Sequence, residues 1–248
     1  MKALIICFVG LTSALFASAQ DNTRLANELN NQAVVRSDNG KYQEAVQLLE
    51  RAILAEPGYA LAYYNLGSAY FQLNQLEKAI EAFRHAIVLK PEFSEAYNQI
   101  GVTYLQMSEV ANAIAAFREA IRVKADNSTA LYNLGCAFIR LSNYKEAIKS
   151  LEAAKRLSEN NAEIRVNLGY ALSQEKRYRE AIPEFEKAVA LNPDDHESQF
   201  FLGALYQRID NHQAALAQYA KIKLQNPLLA ERLYGALYRG KTVVAANK

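Results

Sequence analysis

The chain has 248 residues, 51% of them apolar, and a formal net charge of +2. Nothing in that balance suggests nucleic acid or an anionic membrane surface as a partner, which would need a concentrated basic face. Length and composition fit one or two ordinary globular domains.

The N-terminal stretch differs from the rest. Met1-Lys2 is a minimal positive start, residues 3–16 are an apolar run, and Ala17-Ser18-Ala19 is a small-residue cleavage pattern. Together they predict a secretory signal peptide over residues 1–19, cut before Gln20. A membrane anchor is the second reading, but the run is short for a span of about 20 residues. Cys7 lies inside the run, far ahead of the cleavage site, where it is poorly placed for a lipid-carrying N-terminus. The protein is therefore expected to be exported, periplasmic or secreted, with no membrane insertion of the mature chain. Loss of the leader leaves Cys136 as the one cysteine, so no intramolecular disulfide is expected and the thiol should be buried. Residues 20–25 form a short lead-in.

From Ala26 onward the chain repeats itself. A glycine returns every 34 residues, at Gly67, Gly101, Gly135, Gly169 and Gly203, in phrases of one shape: YNLGSAY, NQIGVTY, YNLGCAF, VNLGYAL and FFLGALY. Ala79, Ala113, Ala147, Ala181 and Ala215 follow twelve residues later, and Ala33, Ala45 and Ala52 mark an earlier copy without its glycine. Leu66, Tyr70 and Phe71 describe one helical stripe; Ala79, Ile80, Phe83, Ala86 and Ile87 describe a second. Between the stripes stand Asn39-Gly40, Asn74-Gln75, Ser108-Glu109, Ser142-Asn143, Lys176-Arg177 and Asp210-Asn211, all of them turn positions. Pro57, Pro91, Pro193 and Pro227 follow the second stripes and disfavour helix in the residue before them. Each copy is thus two helices, and the recurring small residues are expected where helix backbones approach closely. A fixed period of this size marks an array of one supersecondary unit.

The pattern resembles the tetratricopeptide repeat over residues 26–229, in copies 26–59, 60–93, 94–127, 128–161, 162–195 and 196–229. The resemblance implies an all-α, right-handed superhelical solenoid of six helix-turn-helix repeats. Residues 230–248 complete it as a C-terminal capping helix and tail. In the cap, Leu229, Leu233, Ala236 and Leu237 share a face opposite Arg232 and Arg239, as the last helix of an array requires. Gly240 should stop it, leaving 241–248 as a loose tail. The copies depart from the family pattern at Ala125 and Glu159, where proline is expected, and at Lys155 and Lys223, where an apolar residue is.

The residues that carry reaction chemistry elsewhere are scattered here. His85, His196 and His212 fall at three different repeat offsets, and no His-Glu-x-x-His, G-x-S-x-G, P-loop or G-x-G-x-x-G run occurs. The glutamates stand beside lysines, as in Glu77-Lys78 and Lys145-Glu146, and read as solvated surface. No enzyme activity, metal or cofactor is expected. In the resembled family the first helix of each pair lines a concave groove, and there one offset carries Asn65, Asn133 and Asn167, with Asn31 before them and Gln99 between. A carboxamide donates and accepts, so a row of them can hold a peptide backbone whatever its side chains. The row resembles the asparagine ladder of the repeat region of O-GlcNAc transferases. The alternative is structural: each amide bonds to a neighbouring helix and fixes the repeat angle. Tyr64, Tyr132, Tyr170 and Phe200 accompany the amides, as contact surface for a ligand or as packing between helices. The lysine clamp of the cochaperone class is missing, so a peptide ending in acidic residues is not the expected ligand. Cys136 shares the groove and reads as a small apolar filler. The expected function is an exported, non-enzymatic module that binds an extended protein or peptide segment. The alternative is a scaffold subunit that self-associates or docks through its ends, for instance through Leu25, Leu29, Val34 and Val35 of the first copy.

Overall fold

A computed structural model describes residues 2–238, with side chains from residue 20 onward except Ala236. Arg239, Gly240, the expected tail and the leader's side chains lie outside that description. Among the described residues every regular element is an α-helix. In chain order these are α1 (Lys2–Asp38), α2 (Tyr42–Ala55), α3 (Ala60–Gln72), α4 (Leu76–Leu89), α5 (Ser94–Gln106) and α6 (Val110–Val123). They continue with α7 (Ser128–Arg140), α8 (Tyr144–Leu157), α9 (Ala162–Gln174), α10 (Tyr178–Leu191), α11 (His196–Arg208), α12 (His212–Gln225) and α13 (Pro227–Tyr238). The helices fall into two compact units, Met1–Ala125 and Asp126–Lys248.

In the first unit, α1 pairs with α2, α3 with α4 and α5 with α6. The first helices α1, α3 and α5 also touch in succession, so they form one face. Ala45, Val46, Leu49 and Ala52 of α2 pack with Ala26, Leu29 and Ala33 below and Ala62, Leu66 and Ala69 above. In the second unit, α7 pairs with α8, α9 with α10 and α11 with α12, and α13 closes the stack against both α11 and α12. Leu229, Ala230, Leu233 and Leu237 form the buried side of α13, the cap that the apolar periodicity predicts.

The turn inside every hairpin is the same structure. Gly40, Asn74, Ser108, Ser142, Lys176 and Asp210 all have φ between 55° and 73°. The following N–H reaches back over the turn, as from Gln75 N to Tyr70 O at 2.9 Å and from Arg177 N to Leu172 O at 2.9 Å. This left-handed residue ends the first helix in a Schellman motif, and glycine or asparagine suits it best. The second helices end at Ala55, Leu89, Leu191 and Gln225, two residues before their prolines. Where proline is replaced, α6 and α8 still end at the same offset, at Val123 and Leu157.

The recurring glycine is set mainly by a facing side chain, and the close backbone approach expected of it is seen at Gly67, where the Ala79 carbonyl oxygen would stand 3.0 Å from a Cβ. A Cβ at Gly67 would stand 2.7 Å from the Phe83 ring, at Gly101 2.5 Å from Phe117, and at Gly169 2.7 Å from Phe185. The missing side chain makes room for a large one from the second helix of the same hairpin. Gly135 receives Leu151 in that way, and Gly203 receives Leu233 of α13.

Candidate interaction face

Of the amides singled out in the sequence, Asn65, Gln99, Asn133 and Asn167 sit half-buried on first helices and Asn31 is exposed; Asn65 and Asn167 bond to the preceding hairpin. In the first unit, Asn65 Nδ2 on α3 donates to Asn30 Oδ1 on α1 at 2.8 Å, and Asn30 is itself 2% exposed. In the second, Asn167 Nδ2 on α9 donates to the Tyr132 hydroxyl on α7 at 3.2 Å and to the Glu163 carbonyl at 3.0 Å. Both cross-hairpin bonds span 35 residues, one more than the repeat. Each amide therefore bonds the side chain beside its own equivalent in the preceding copy. Among the described residues, neither the Asn65 nor the Asn167 carboxamide oxygen accepts a hydrogen bond. Asn133 and Gln99 occupy the same offset on α7 and α5.

The aromatics divide. Tyr64 lies in packing, with ring centroids 5.6 Å from Phe83 and 4.9 Å from Phe93. Tyr132 continues a polar chain: it accepts from Asn167 and bonds the Cys136 sulfur. Burial, then the neighbouring Cys136, pushes its phenol above the ordinary range. Burial also raises the Cys136 thiol, against the opposing pull of the Tyr132 bond and of Arg140, so at neutral pH this sulfur is a protonated, unreactive thiol. Tyr170 meets Tyr144 and Phe201 edge to face, each at 6.2 Å, and its phenol is raised by burial and then by Tyr144. Phe200 packs with the cap, and the Arg232 guanidinium lies 5.1 Å from its ring centroid. Arg232, on the exposed side of the cap, thus also lies over an aromatic ring.

Two features escaped the repeat pattern. Lys155 of α8, at an offset usually apolar, meets Glu184 of α10 at 2.6 Å, and Arg165 of α9 meets the same carboxylate at 2.8 Å. Arg165 also donates to the Glu159 carbonyl at 3.0 and 2.7 Å, holding the segment where proline is missing. The signal available was that three apolar offsets turn charged in adjacent copies. The second feature is a cavity of about 340 Å³ between α9 and α11, with Lys176 and Arg208 on its lining. On α1, Leu29 is buried, whereas Leu25, Val34 and Val35 are exposed. At 100° per residue Leu25 and Val35 lie about 80° apart while Val34 stands about 180° from Leu25, so the three together make no single narrow stripe.

Among the described residues no cluster of three His, Cys, Asp or Glu side chains is placed to hold a metal ion, and no helix is long and apolar enough to cross a membrane. No curated protein matches the chain. Among solved structures it is similar to YrrB, described as a TPR protein with an unusual peptide-binding site. The identity is 27%, with 74% of this chain and 96% of that one covered at a TM-score of 0.66. It shares its fold with Pseudomonas aeruginosa PilF (17% identity, TM-score 0.74, 87% of this chain and 99% of that one). The fold is also that of PilW, a type IV pilus biogenesis factor (19% identity, TM-score 0.70, 84% of this chain and 98% of that one). One tetratricopeptide repeat model matches residues 30–92 and 98–162, more than half the chain, and a second matches 162–195. With the hairpins, their turns and the glycine sites repeating at that period, the chain belongs to the tetratricopeptide repeat family, an all-α solenoid fold of protein-interaction modules.

Proposed function

We propose that the protein is an exported, non-enzymatic adaptor that holds an extended segment of a partner protein against the faces of its first helices. The observation that carries this reading is the state of the two anchored amides. Asn65 and Asn167 each commit Nδ2 to the preceding hairpin while Oδ1 accepts no bond. The donor arm fixes the side chain in advance, and a fixed acceptor costs little further entropy when a ligand N–H arrives. Asn167 uses both its donor hydrogens internally, so it offers acceptance only, and the ligand backbone must present N–H groups to it. The likeness to YrrB, described as having a peptide-binding site, supports the same reading. Tyr132 and Tyr170 flank Asn167 as contact surface; Tyr64 and Phe200 act through packing.

The test is a pull-down from the native exported fraction with the chain from Gln20 onward, wild type against the triple variant Asn65→Ala, Asn133→Ala and Asn167→Ala. The partner is expected to be lost while the helical circular dichroism signal is kept. A partner retained equally by the helical triple variant removes the amides from binding and moves the interaction to another surface.

A further inference from the structure

The cavity between α9 and α11 combines features that the amide row lacks. Its floor includes Phe201, Ala204 and Tyr178, and its rim carries Gln174, Lys176 and Arg208. Among the described residues neither Lys176 nor Arg208 has an acidic partner, whereas Arg177 beside them is paired with Glu180 at 2.7 Å. Two unpaired cations over an apolar floor make a surface complementary to a carboxylate with an apolar neighbour. Lys176 carries a second, independent signal. It occupies the left-handed turn at φ 62°, where the other copies use Gly40, Asn74, Ser108, Ser142 and Asp210. A long side chain gains nothing locally from that backbone, which disfavours L-residues other than glycine, asparagine and aspartate. Lysine here carries a left-handed cost like that of Ser108 and Ser142, and unlike them it brings a cation to the cavity rim.

We propose that this cavity takes an acidic side chain of the bound segment, clamped by Lys176 and Arg208, with an apolar neighbouring residue seated on Phe201 and Ala204. This rests on the reading of the first-helix face as the binding surface: the cavity lies two turns along α9 from Asn167. It adds what the amides cannot supply, a preference for one kind of side chain. The occupant is an internal Asp or Glu of a peptide, held by charge at the rim and by burial of its neighbour.

The probe is a displayed library of random dodecapeptides without free peptide termini, selected against the wild-type chain and against the double variant Lys176→Asn, Arg208→Gln. These substitutions use residues already found at the equivalent positions, Asn74 in the turn and Gln72, Gln106 and Gln174 at the helix end, so the fold is kept. Wild type is expected to enrich Asp or Glu next to an apolar residue. A selected acidic peptide should bind the double variant about tenfold more weakly at low salt, with the difference shrinking as salt rises. Peptides enriched without any acidic preference, or bound equally by the double variant, overturn the cavity assignment and leave the binding face standing. If neither protein enriches any peptide, the binding face itself is overturned and the cavity with it.

Discussion

At Gly101 the hairpin leaves no room for a methyl group, since a Cβ there would lie 2.5 Å from the Phe117 ring, which is itself fully buried. Two effects oppose each other in Gly101→Ala. Alanine in a helix interior gains about 1 kcal/mol over glycine, while forcing extra volume into a packed core costs about 1–3 kcal/mol. Gly101 cannot shift its backbone without moving α5, so packing wins, and the variant should lose about 2 kcal/mol in urea denaturation. Paired with Phe117→Ala, the double variant should lose less than the sum of the singles, because the ring no longer meets the methyl. A more stable Gly101→Ala would mean that the ring moves freely. The glycine itself was legible as a period; its reason was not, because the ring stands 16 residues on in the other helix. The amide row was legible at 34 residues in the same way. Its pairing at 35 was not, since Asn30 and Tyr132 share an offset but no chemistry except a hydrogen-bonding side-chain oxygen.

Between helices, the ionic cluster of Lys155, Arg165 and Glu184 tests whether charge or packing holds α8, α9 and α10 together. The side chains of Lys155, Arg165 and Glu184 are 28%, 14% and 13% exposed, so the group is mostly out of water. Removing the shared acid leaves two buried cations, and Glu184→Ala should cost about 3 kcal/mol. Replacing the whole cluster by what the second and third copies carry there, Lys155→Ile, Arg165→Tyr and Glu184→Ala, should be neutral or stabilising, because well-packed apolar groups need no desolvation. Guanidinium denaturation of the two variants separates the effects; a triple variant as unstable as Glu184→Ala would show that the ions, not the packing, order these helices. At this scale the helices, turns and cap were legible, as each is written within one copy. The ion cluster was not: Lys155 and Glu184 are 29 residues apart and Arg165 and Glu184 19, so no single copy contains the group.

For the whole chain, the number of hairpins follows from the period, whereas its grouping into two compact units does not, because that depends on contacts between hairpins. What both units contain is a set of tyrosines partly withdrawn from water. Burial, then the hydrogen bond to Glu186, raises Tyr206 to about 12. Tyr132 is raised further, Tyr59, Tyr70 and Tyr170 are raised in the same direction, and burial raises Cys136 with them. In the unfolded chain these groups titrate near 10 for tyrosine and about 8.5 for cysteine. Between those values and the folded ones the native state keeps protons that the unfolded state has lost. Stability from these groups is therefore complete below about pH 8.5 and declines as pH rises through the folded values. The unfolding midpoint in urea should hold from pH 7 to 8 and fall between pH 9 and 11. Tyr206→Phe loses the Glu186 bond at pH 7 but also removes one of the titrating groups, so its midpoint should converge on that of wild type as pH approaches 11. A wild-type midpoint unchanged from pH 8 to 11 would mean that the phenols titrate alike folded and unfolded, and that their burial in the stack does not hold their protons.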